Sequence, residues 1–451
     1  MYDIVVEGTQ NEYECNELIK VFLKPSEYRL VLSGGAGPGK IELLRDLYKK
    51  LSGMTGKCPE WGVLTGVRPV KLAGELMVKY GDAQTVRNIL TNEYLLNDKK
   101  ADLLVNIYEY QQAVLKSQGN GKISVYIGIP FCPTRCLYCS FTSNQAADSK
   151  VSEYMDALFK EMEYAGNETR KKGLLPETLY IGGGTPTVLS PELLEKLLKN
   201  ASKLFDLSEL LEFTVEAGRP DTLTGEKLKI IKTAGVSRIS INPQSAHEKT
   251  LKLIGRSHTF KKTEEAFLLA RAEGIDIINM DVIAGLPEET PEDFAETVKA
   301  VTEFAPENIT VHTLAVKRAS KLNEIDKDYH YRQGYNVREM LYRGKEILKD
   351  KGYTPYYLYR QKHMAGGFEN TGWCLDGTEG VYNIRIMEEK QTILALGAGG
   401  ITKVYYPGDN RIERIPNVTN YEQYMSRIDE MIERKKENLF REGKKNVDKR
   451  A

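Results

Sequence analysis

Six short β-rich runs, each followed by a helical pattern, constrain the fold of this chain more than any other feature. Between the runs, apolar residues recur every three or four positions, as from Val151 to Met162, which predicts helices with one buried stripe. Parallel strands need such crossovers, so we expect an α/β fold with a partial barrel of six βα units. Its chemistry should lie at the carboxyl ends of the strands. The runs are Ser124–Ile129, Thr178–Ile181, Phe213–Glu216, Arg238–Asn242, Ile277–Ile283 and Ile309–Leu314.

The chain, at 451 residues, is longer than one ordinary domain. The polar stretch Lys116–Gly121 is typical of a linker, which would lie before the barrel. Residues 353–359 are rich in tyrosine, and residues 434–450 carry eight basic against three acidic side chains, which is typical of a solvated, frayed helix. The expected domains are an N-terminal accessory domain (1–118), the barrel (119–320) and a C-terminal extension with the charged tail (321–451).

Charge and hydropathy exclude several classes of partner. Sixty-three Lys and Arg balance 63 Asp and Glu, so the chain has no global field that would recruit nucleic acid or an anionic membrane. It has no apolar run of about 18 residues, and its start has acidic residues where a signal peptide needs basic and apolar ones. We therefore expect a cytoplasmic protein with a small-molecule partner, no bound nucleic acid and no membrane insertion.

Three of the six cysteines fall within eight residues, directly after the first strand-like run. Cys132, Cys136 and Cys139 are spaced so that three thiolates can hold one face of an iron–sulfur cubane and leave its fourth iron without a protein ligand. A structural zinc site would need a fourth ligand, which could arrive through the fold, so zinc stays open as an alternative. The isolated Cys15, Cys58 and Cys374 are expected to be small buried residues.

Polar and glycine residues follow the next strand-like runs. The segment Ile181–Thr187 reads Ile-Gly-Gly-Gly-Thr-Pro-Thr, and its glycines allow the backbone to approach a ligand closely. Glu216 closes the third run, where its carboxylate can accept hydrogen bonds. Gln244, Arg256 and Asp281 are expected on the fourth strand, the next helix and the fifth strand.

A second glycine-rich segment, Gly34–Lys40, fits half of a phosphate-binding loop. It lies between a strand-like run and a helical pattern. Position 41 is isoleucine, so the hydroxyl group that would hold magnesium is missing. We interpret the segment as a tight turn at a helix start.

The cysteine loop and the segments after it resemble the radical S-adenosylmethionine (SAM) superfamily. In detail they are similar to the oxygen-independent coproporphyrinogen III dehydrogenase (oxidase) family, and closest to its HemZ branch, over residues 123–405. The flanking residues Tyr126, Ile129–Phe131 and Phe141 make this resemblance more specific than the cysteine spacing alone. It implies a radical-SAM partial (β/α)6 barrel with an N-terminal α+β accessory domain and a C-terminal mixed extension. It also implies a 4Fe-4S cluster and SAM as cofactors.

The resemblance also implies roles for individual residues, with no catalytic residue assigned. The cysteines would hold the cluster, Gly183, Gly184 and Thr185 would contact the methionine part of SAM, Arg256 a carboxylate, and Asp281 a ribose. Ala315 and Ile401 would line the same pocket through backbone or apolar contact. The implied cofactor-binding residues are Tyr126, Tyr138, Gly183, Gly184, Thr185, Glu216, Gln244, Arg256, Asp281, Ala315 and Ile401.

The activity that the resemblance implies is decarboxylation of two propionates of coproporphyrinogen III to vinyl groups, giving protoporphyrinogen IX in haem biosynthesis. An electron donor such as flavodoxin or ferredoxin would be a partner, beside the tetrapyrrole substrate. Two alternatives stay open: a haem-binding chaperone that retains the cluster, and a radical-SAM enzyme that modifies or degrades haem. Possible partners for substrate carboxylates are Arg318, Arg360, Lys362 and Arg385.

Three departures from the family pattern bear on the substrate or the pocket. Gly128 stands where many members have histidine, and Asn242-Pro243 stands where a Gly-Val pair is usual. Gly380–Ile384 replaces a His-Asn-x-x-Tyr-Trp segment. The first and third changes leave the expected SAM chemistry intact but put the tetrapyrrole substrate in doubt.

Overall fold

The computed structural model describes residues 1–8, 11–34, 38–117, 119, 121–139, 144–317, 319–362 and 364–441. The N-terminal part pairs two parallel strands, packs two helices on them and adds three more helices. Part of the Gly34–Lys40 turn lies outside the described residues, but the strand before it and the helix after it are present. The elements are β1 (Tyr2–Glu7), α1 (Glu12–Phe22), β2 (Tyr28–Ser33), α2 (Lys40–Thr55), α3 (Pro69–Tyr80), α4 (Ala83–Asn92) and α5 (Asp98–Lys116).

The six expected strands are all present, and adjacent ones pair in parallel in chain order. This confirms the α/β partial barrel. The strands are β3 (Lys122–Ile129), β4 (Leu175–Gly183), β5 (Glu212–Glu216), β6 (Arg238–Ser240), β7 (Ile277–Ala284) and β8 (Asn308–Thr313). The intervening helices are α6 (Asp148–Lys171), α7 (Pro191–Leu204), α8 (Gly225–Thr233), α9 (Glu248–Leu253), α10 (Phe260–Ala272) and α11 (Pro291–Glu303).

The crossover helices bury the apolar stripe that their sequence predicts. In α6 the side chains of Tyr154, Met155, Leu158 and Met162 are fully buried against the sheet. Other helices begin at local signals, as at Thr290, where the side chain and Asp293 form a capping box at the start of α11. Local sequence and burial therefore favour the same elements.

Residues after 320 extend the same sheet at both edges. The full strand order is β13-β12-β11-β3-β4-β5-β6-β7-β8-β10-β9, with β11 parallel to β3 and the outer strands antiparallel. The added strands are β9 (Thr354–Tyr359), β10 (Asn370–Cys374), β11 (Ile393–Leu396), β12 (Ile401–Tyr406) and β13 (Arg411–Pro416). The added helices are α12 (Lys321–Ile325), α13 (Tyr329–Arg332), α14 (Gly334–Asp350), α15 (Val381–Glu388), α16 (Tyr421–Ser426) and α17 (Ile428–Asn438).

Buried polar contacts join the N-terminal part to the β9–β10 edge of the sheet. Glu369 accepts a 2.9 Å hydrogen bond from the Trp61 indole and an ion-paired hydrogen bond from Lys100. Arg360 donates to the backbone of the N-terminal part and lies 4.9 Å from the Trp61 ring centre. The expected domain boundaries at 118 and 320 stay a prediction, since the sheet uses strands from both later segments.

The structure also bears on the expectations about membrane insertion and about the three isolated cysteines. In the described part of the chain, no helix is long and apolar enough to cross a membrane. Cys15 and Cys374 are buried as expected, but the expectation for Cys58 was wrong, because this residue is exposed.

Candidate functional site

The cysteine loop leaves the carboxyl end of β3 and crosses the mouth of the barrel. Its backbone is held by later segments: Cys132 N–H donates to Asn144 O at 3.1 Å, and Leu137 N–H to Ile254 O at 2.9 Å. Cys136 is buried, and Cys132 and Cys139 are partly exposed. Phe141, which contributed to the resemblance, lies outside the described residues.

The positions of the three sulfur atoms bear on the choice between zinc and a cluster. Thiolates around one tetrahedral zinc lie about 3.8 Å apart, as follows from a Zn–S bond of about 2.3 Å. Among the described residues, no group of three potential ligands with atoms within 4.8 Å of one another includes a cysteine. At least two of the three cysteine sulfurs therefore lie more than 4.8 Å apart, farther than they would around one zinc ion and compatible with the larger face of a cubane. Burial raises the pKa of the Cys132 thiol to about 11, so the free thiol is protonated at neutral pH and would lose its proton on binding a metal.

The glycine turn after β4 packs directly on the cysteine loop. A Cβ atom on Gly184 would lie 2.4 Å from the Phe131 carbonyl oxygen and 3.0 Å from the Cys132 sulfur. Gly183 has φ +111°, which L side chains rarely adopt. The Thr185 hydroxyl lies 3.5 Å from the Cys132 sulfur. The structure thus places the glycine turn against Cys132 of the cysteine loop.

Glu216, at the end of β5, lies beside this turn. Its carboxylate accepts hydrogen bonds from Gly183 N–H at 3.1 Å and from the Tyr180 hydroxyl at 2.6 Å. Burial raises the pKa of Glu216 to about 7, although the bond from Tyr180 opposes this. A buried carboxylate that is half protonated near neutral pH is suited to a cationic ligand group.

Asp281 points into the same barrel from β7. It accepts a 2.7 Å hydrogen bond from Asn279, and its Oδ2 lies 3.4 Å from Nε2 of His312 on β8. Burial raises the pKa of Asp281, but His312 and the hydrogen bonds outweigh it, so the net shift is downward and the group is ionised at neutral pH. Nδ1 of His312 lies 3.4 Å from the Tyr359 hydroxyl. His312 was not foreseen; its only sequence signal was its place on the sixth strand.

Gln244 lies beyond the end of β6, not on the strand as expected. The strand ends at Ser240 because the backbone turns through Asn242-Pro243, and Gln244 itself has φ 67°. Its backbone still pairs with Asp281 and Ile283 of β7. Its side-chain oxygen is buried and has no hydrogen-bond partner among the described residues. Such an orphaned acceptor is what a ligand donor would satisfy.

Arg256 also lies outside the helix where it was expected. α9 ends at Leu253, and Gly255 reverses the chain with φ +78°. The Arg256 guanidinium donates to the Gly218 and Asn242 carbonyls at 3.0 and 2.7 Å and to the Tyr138 hydroxyl at 3.3 Å. Its Nε is buried and lacks a partner among the described residues. Tyr138 therefore links the cysteine loop, to which it belongs, to Arg256.

A further arginine, Arg219, reaches the cysteine loop and was missed from the sequence. Its Nη1 lies 3.9 Å from the Cys136 sulfur, and its side chain is 3% exposed. The available signal was its position three residues after Glu216, in a segment that already ended a strand.

Tyrosine rings fill the barrel between these groups. Tyr126 on β3 stacks with Tyr180 and Tyr382 at ring-centre distances of 6.1 and 6.4 Å, and Tyr180 and Tyr382 lie 4.5 Å apart. Tyr382 belongs to α15. The first turn of this helix lies in the segment Gly380–Ile384, where the sequence departs from the family pattern. Tyr126 is thus part of an aromatic stack beside Glu216.

The last two residues expected in the pocket, Ala315 and Ile401, lie beside different strands. Ala315 follows β8 and forms a backbone bridge with Met364 near the barrel mouth. Ile401 begins β12, two strands from β3, and is 47% exposed. Ala315 thus lies directly after a barrel strand and Ile401 on an added strand, and their roles in the pocket stay predictions.

The arginines and lysine expected to meet substrate carboxylates mostly have protein partners. Arg385 forms a fully buried ion pair with Glu177 at 2.7 Å, because its helix packs against β4. Arg360 is buried against the N-terminal part, and Lys362 pairs with Glu17 at 3.0 Å. Arg318 lies outside the described residues.

Comparisons with known proteins agree with this geometry. A family described as the radical SAM superfamily matches residues 126–301. The oxygen-independent coproporphyrinogen-III oxidase-like protein HemZ of Bacillus subtilis (strain 168) is 38% identical over 390 residues, 85% of this chain and 78% of that protein. The heme chaperone HemW of the same organism is 39% identical over 195 residues, 43% of this chain and 51% of HemW. The structure of the Escherichia coli coproporphyrinogen III oxidase HemN, a radical SAM enzyme, aligns with a TM-score of 0.56 and 22% identity over 71% of this chain and 73% of that chain.

Proposed function

Because this chain belongs to the HemZ-type family of oxygen-independent coproporphyrinogen-III oxidase-like proteins in the radical SAM superfamily, we propose that it oxidatively decarboxylates coproporphyrinogen III. Proteins of this superfamily use a 4Fe-4S cluster and SAM. The product would be protoporphyrinogen IX, with two propionates converted to vinyl groups. The observation that carries the proposal is the contact between the cysteine loop and the glycine turn, with Glu216 and Asp281 facing the same space.

The donor set at the barrel mouth fits both cofactors. Cys132, Cys136 and Cys139 would hold the cluster and leave one iron open. When bound, the cluster and SAM supply a carbon radical that can take a hydrogen atom from an unactivated C–H bond. The chain's own residues then bind, orient and exclude water.

Each strand end has a distinct part in holding SAM. The Glu216 carboxylate would accept hydrogen bonds from the ammonium group, and ion pairing would restore the charge that burial disfavours. Asp281, already ionised, would accept from a ribose hydroxyl, with His312 fixing its orientation. The unpaired Gln244 oxygen would accept a further ligand hydrogen bond.

A tetrapyrrole is supported by the family and by the barrel lining. Tyr180, Tyr359 and Tyr382 present rings and hydroxyl groups next to the site. Aromatic faces pack well on planar ligands. An electron donor such as flavodoxin or ferredoxin would deliver the electron that the cluster needs.

A second candidate function is a haem chaperone that keeps the cluster. The observation favouring it is the 39% identity to HemW, a protein named as a heme chaperone. The chain also lacks the family's usual histidine at Gly128. There a Cβ atom would lie 3.3 Å from the Leu396 carbonyl oxygen, so glycine suits the local packing.

The test is anaerobic incubation of reconstituted protein with SAM, a reductant and coproporphyrinogen III, followed by mass analysis. Oxidative decarboxylation should appear as loss of carbon dioxide and two hydrogens from one and then two propionates, with deoxyadenosine formed at each step. Cys132→Ala should abolish it, and Cys58→Ala, which changes an exposed cysteine, should not. A stable Soret band with added haem and unchanged coproporphyrinogen would favour the chaperone. A modified pigment formed from haem would favour a haem-modifying enzyme.

A further inference from the structure

A buried cation lies against one of the three cysteine sulfurs. Arg219 leaves the end of β5, and its Nη1 lies 3.9 Å from Cys136 Sγ. The same nitrogen donates to the Thr134 hydroxyl of the cysteine loop at 2.8 Å. The side chain is 3% exposed, so its charge is poorly screened by water.

Further hydrogen bonds hold the Arg219 guanidinium in this position. Nε and Nη2 donate to the two carboxylate oxygens of Asp221 at 3.1 and 3.2 Å, and Nη2 also donates to the Ser257 hydroxyl at 2.8 Å. A planar guanidinium with this many partners loses little further entropy when it faces the sulfur.

We propose that Arg219 is a positioning residue that sets the reduction potential of the cluster held by Cys136. The proposal rests on the proposed function, since it requires the cluster. Hydrogen bonds to the cluster sulfurs, net charge and solvent exposure determine such potentials. A buried positive charge beside a thiolate favours the reduced cluster, which is the more negative of the two states. Arg219 therefore makes the cluster easier to reduce.

Neighbouring charges give the proposal a second, opposite prediction. The Asp221 carboxylate partly neutralises Arg219, and it is less buried than the guanidinium. Burial, followed by Arg256 and Arg219, lowers the pKa of His258 to about 3, so this neighbour of Asp221 is neutral. Arg256 and Lys317 add positive charge near Cys136 and Cys139. Removing the Asp221 charge should therefore raise the potential.

The experiment is a redox titration of the reconstituted protein, followed by electron paramagnetic resonance of the reduced cluster. Arg219→Gln should shift the midpoint potential to a more negative value, and Asp221→Asn should shift it the opposite way. The matched control is Arg271→Gln, which also removes an ion-paired arginine but lies near the amino end of β7, whereas the cysteine loop follows the carboxyl end of β3. It should leave the potential unchanged.

Iron content separates the possible failures. If Arg219→Gln loads iron normally and keeps the wild-type potential, the proposal is wrong. If that variant takes up no iron, Arg219→Lys, which keeps the charge, and Asp221→Asn replace it in the titration. A midpoint potential of Asp221→Asn that is at or below that of the wild type then overturns the proposal. A wild-type protein that binds no iron would overturn the cluster assignment itself.

Discussion

The six cysteines differ in what surrounds them, and this difference can be tested directly. Cys132 contacts the glycine turn and Cys136 lies against Arg219. Replacing Cys132, Cys136 or Cys139 with alanine should remove most of the iron absorbance and abolish deoxyadenosine formation, because the remaining two thiolates cannot hold the cubane. Iron assay and product analysis measure this. The triple replacement of Cys15, Cys58 and Cys374 should spare both, and equal loss there would contradict the assignment.

Glu216 predicts how SAM binding depends on pH. Its pKa in the free protein is raised to about 7, chiefly by burial. An ammonium group binds the ionised carboxylate, so affinity should fall by up to about tenfold per pH unit below pH 7 and level off above it. Equilibrium binding measured from pH 5.5 to 8.5 checks this. Glu216→Gln should bind SAM weakly, and its affinity should no longer fall steeply below pH 7. An unchanged fall in affinity below pH 7 in that variant would assign the titration to another group.

Asp281 should affect SAM without affecting the cluster. Asp281→Asn keeps the shape but removes the negative charge that lies beside His312 and would accept from the ribose. We expect SAM affinity to fall about ten- to a hundredfold, the effect of about 1–3 kcal/mol for an unpaired buried group. Iron content should stay normal, while deoxyadenosine release and decarboxylation fall in parallel. Unchanged SAM affinity would remove Asp281 from the site.

Residue-scale prediction from the sequence worked where a local pattern has one meaning. The cysteine loop and the glycine turn were foreseen because spacing and missing side chains mark them directly. Arg219 and His312 were missed because an arginine after a strand or a histidine within one has many structural uses. Only their three-dimensional neighbours, Cys136 and Asp281, distinguish them.

At the scale of elements, all six inner strands were predictable because buried parallel strands read as short apolar runs. The incorrect assignments concern residues just beyond the ends of strands and helices. Gln244 and Arg256 were assigned to a strand and a helix, but the chain turns at Asn242-Pro243 and Gly255. The pairing of β11 with β3 was not predicted, because contacts between distant segments leave no periodic signal.

A buried charge network helps to attach helix α17 to the barrel. Lys435 and Glu161 are fully buried and form a 2.7 Å ion pair, and Glu161 also accepts from Asn417 and Tyr424. Lys435→Met would leave Glu161 buried and uncompensated, so the free energy of unfolding should fall by about 3–5 kcal/mol. Urea denaturation measures this. Lys436→Met, one residue along, removes an exposed pair and should leave the midpoint unchanged. Equal effects of both would contradict the network's role.

At the scale of the whole molecule, the site and the N-terminal part use different contacts. The cysteine loop bonds to Asn144, Ile254 and Leu322, all within the barrel and the segment after it. The N-terminal part is joined to the far edge of the sheet through Glu369. We therefore expect the two to be separable by mutation, which also tests the boundary predicted at residue 118.

Lys100→Met tests this separation. It removes the ammonium group that Glu369 and Glu60 share, and among the described residues it leaves the buried Glu369 with the hydrogen bond from the Trp61 indole. Loss of a partner to a buried charge destabilises strongly, so α3 and α5 should take up deuterium faster and the melting temperature should fall. Hydrogen exchange with mass spectrometry locates the change. Lys99→Met, whose ammonium lies over the exposed Tyr342 ring, is the matched control and should behave as the wild type. In Lys100→Met, iron content per folded chain and SAM affinity should stay normal, because the described backbone bonds of the cysteine loop run to Asn144, Ile254 and Leu322 and not to Glu369. A variant that loses iron while α6 to α11 keep their protection would show instead that the N-terminal part supports the site.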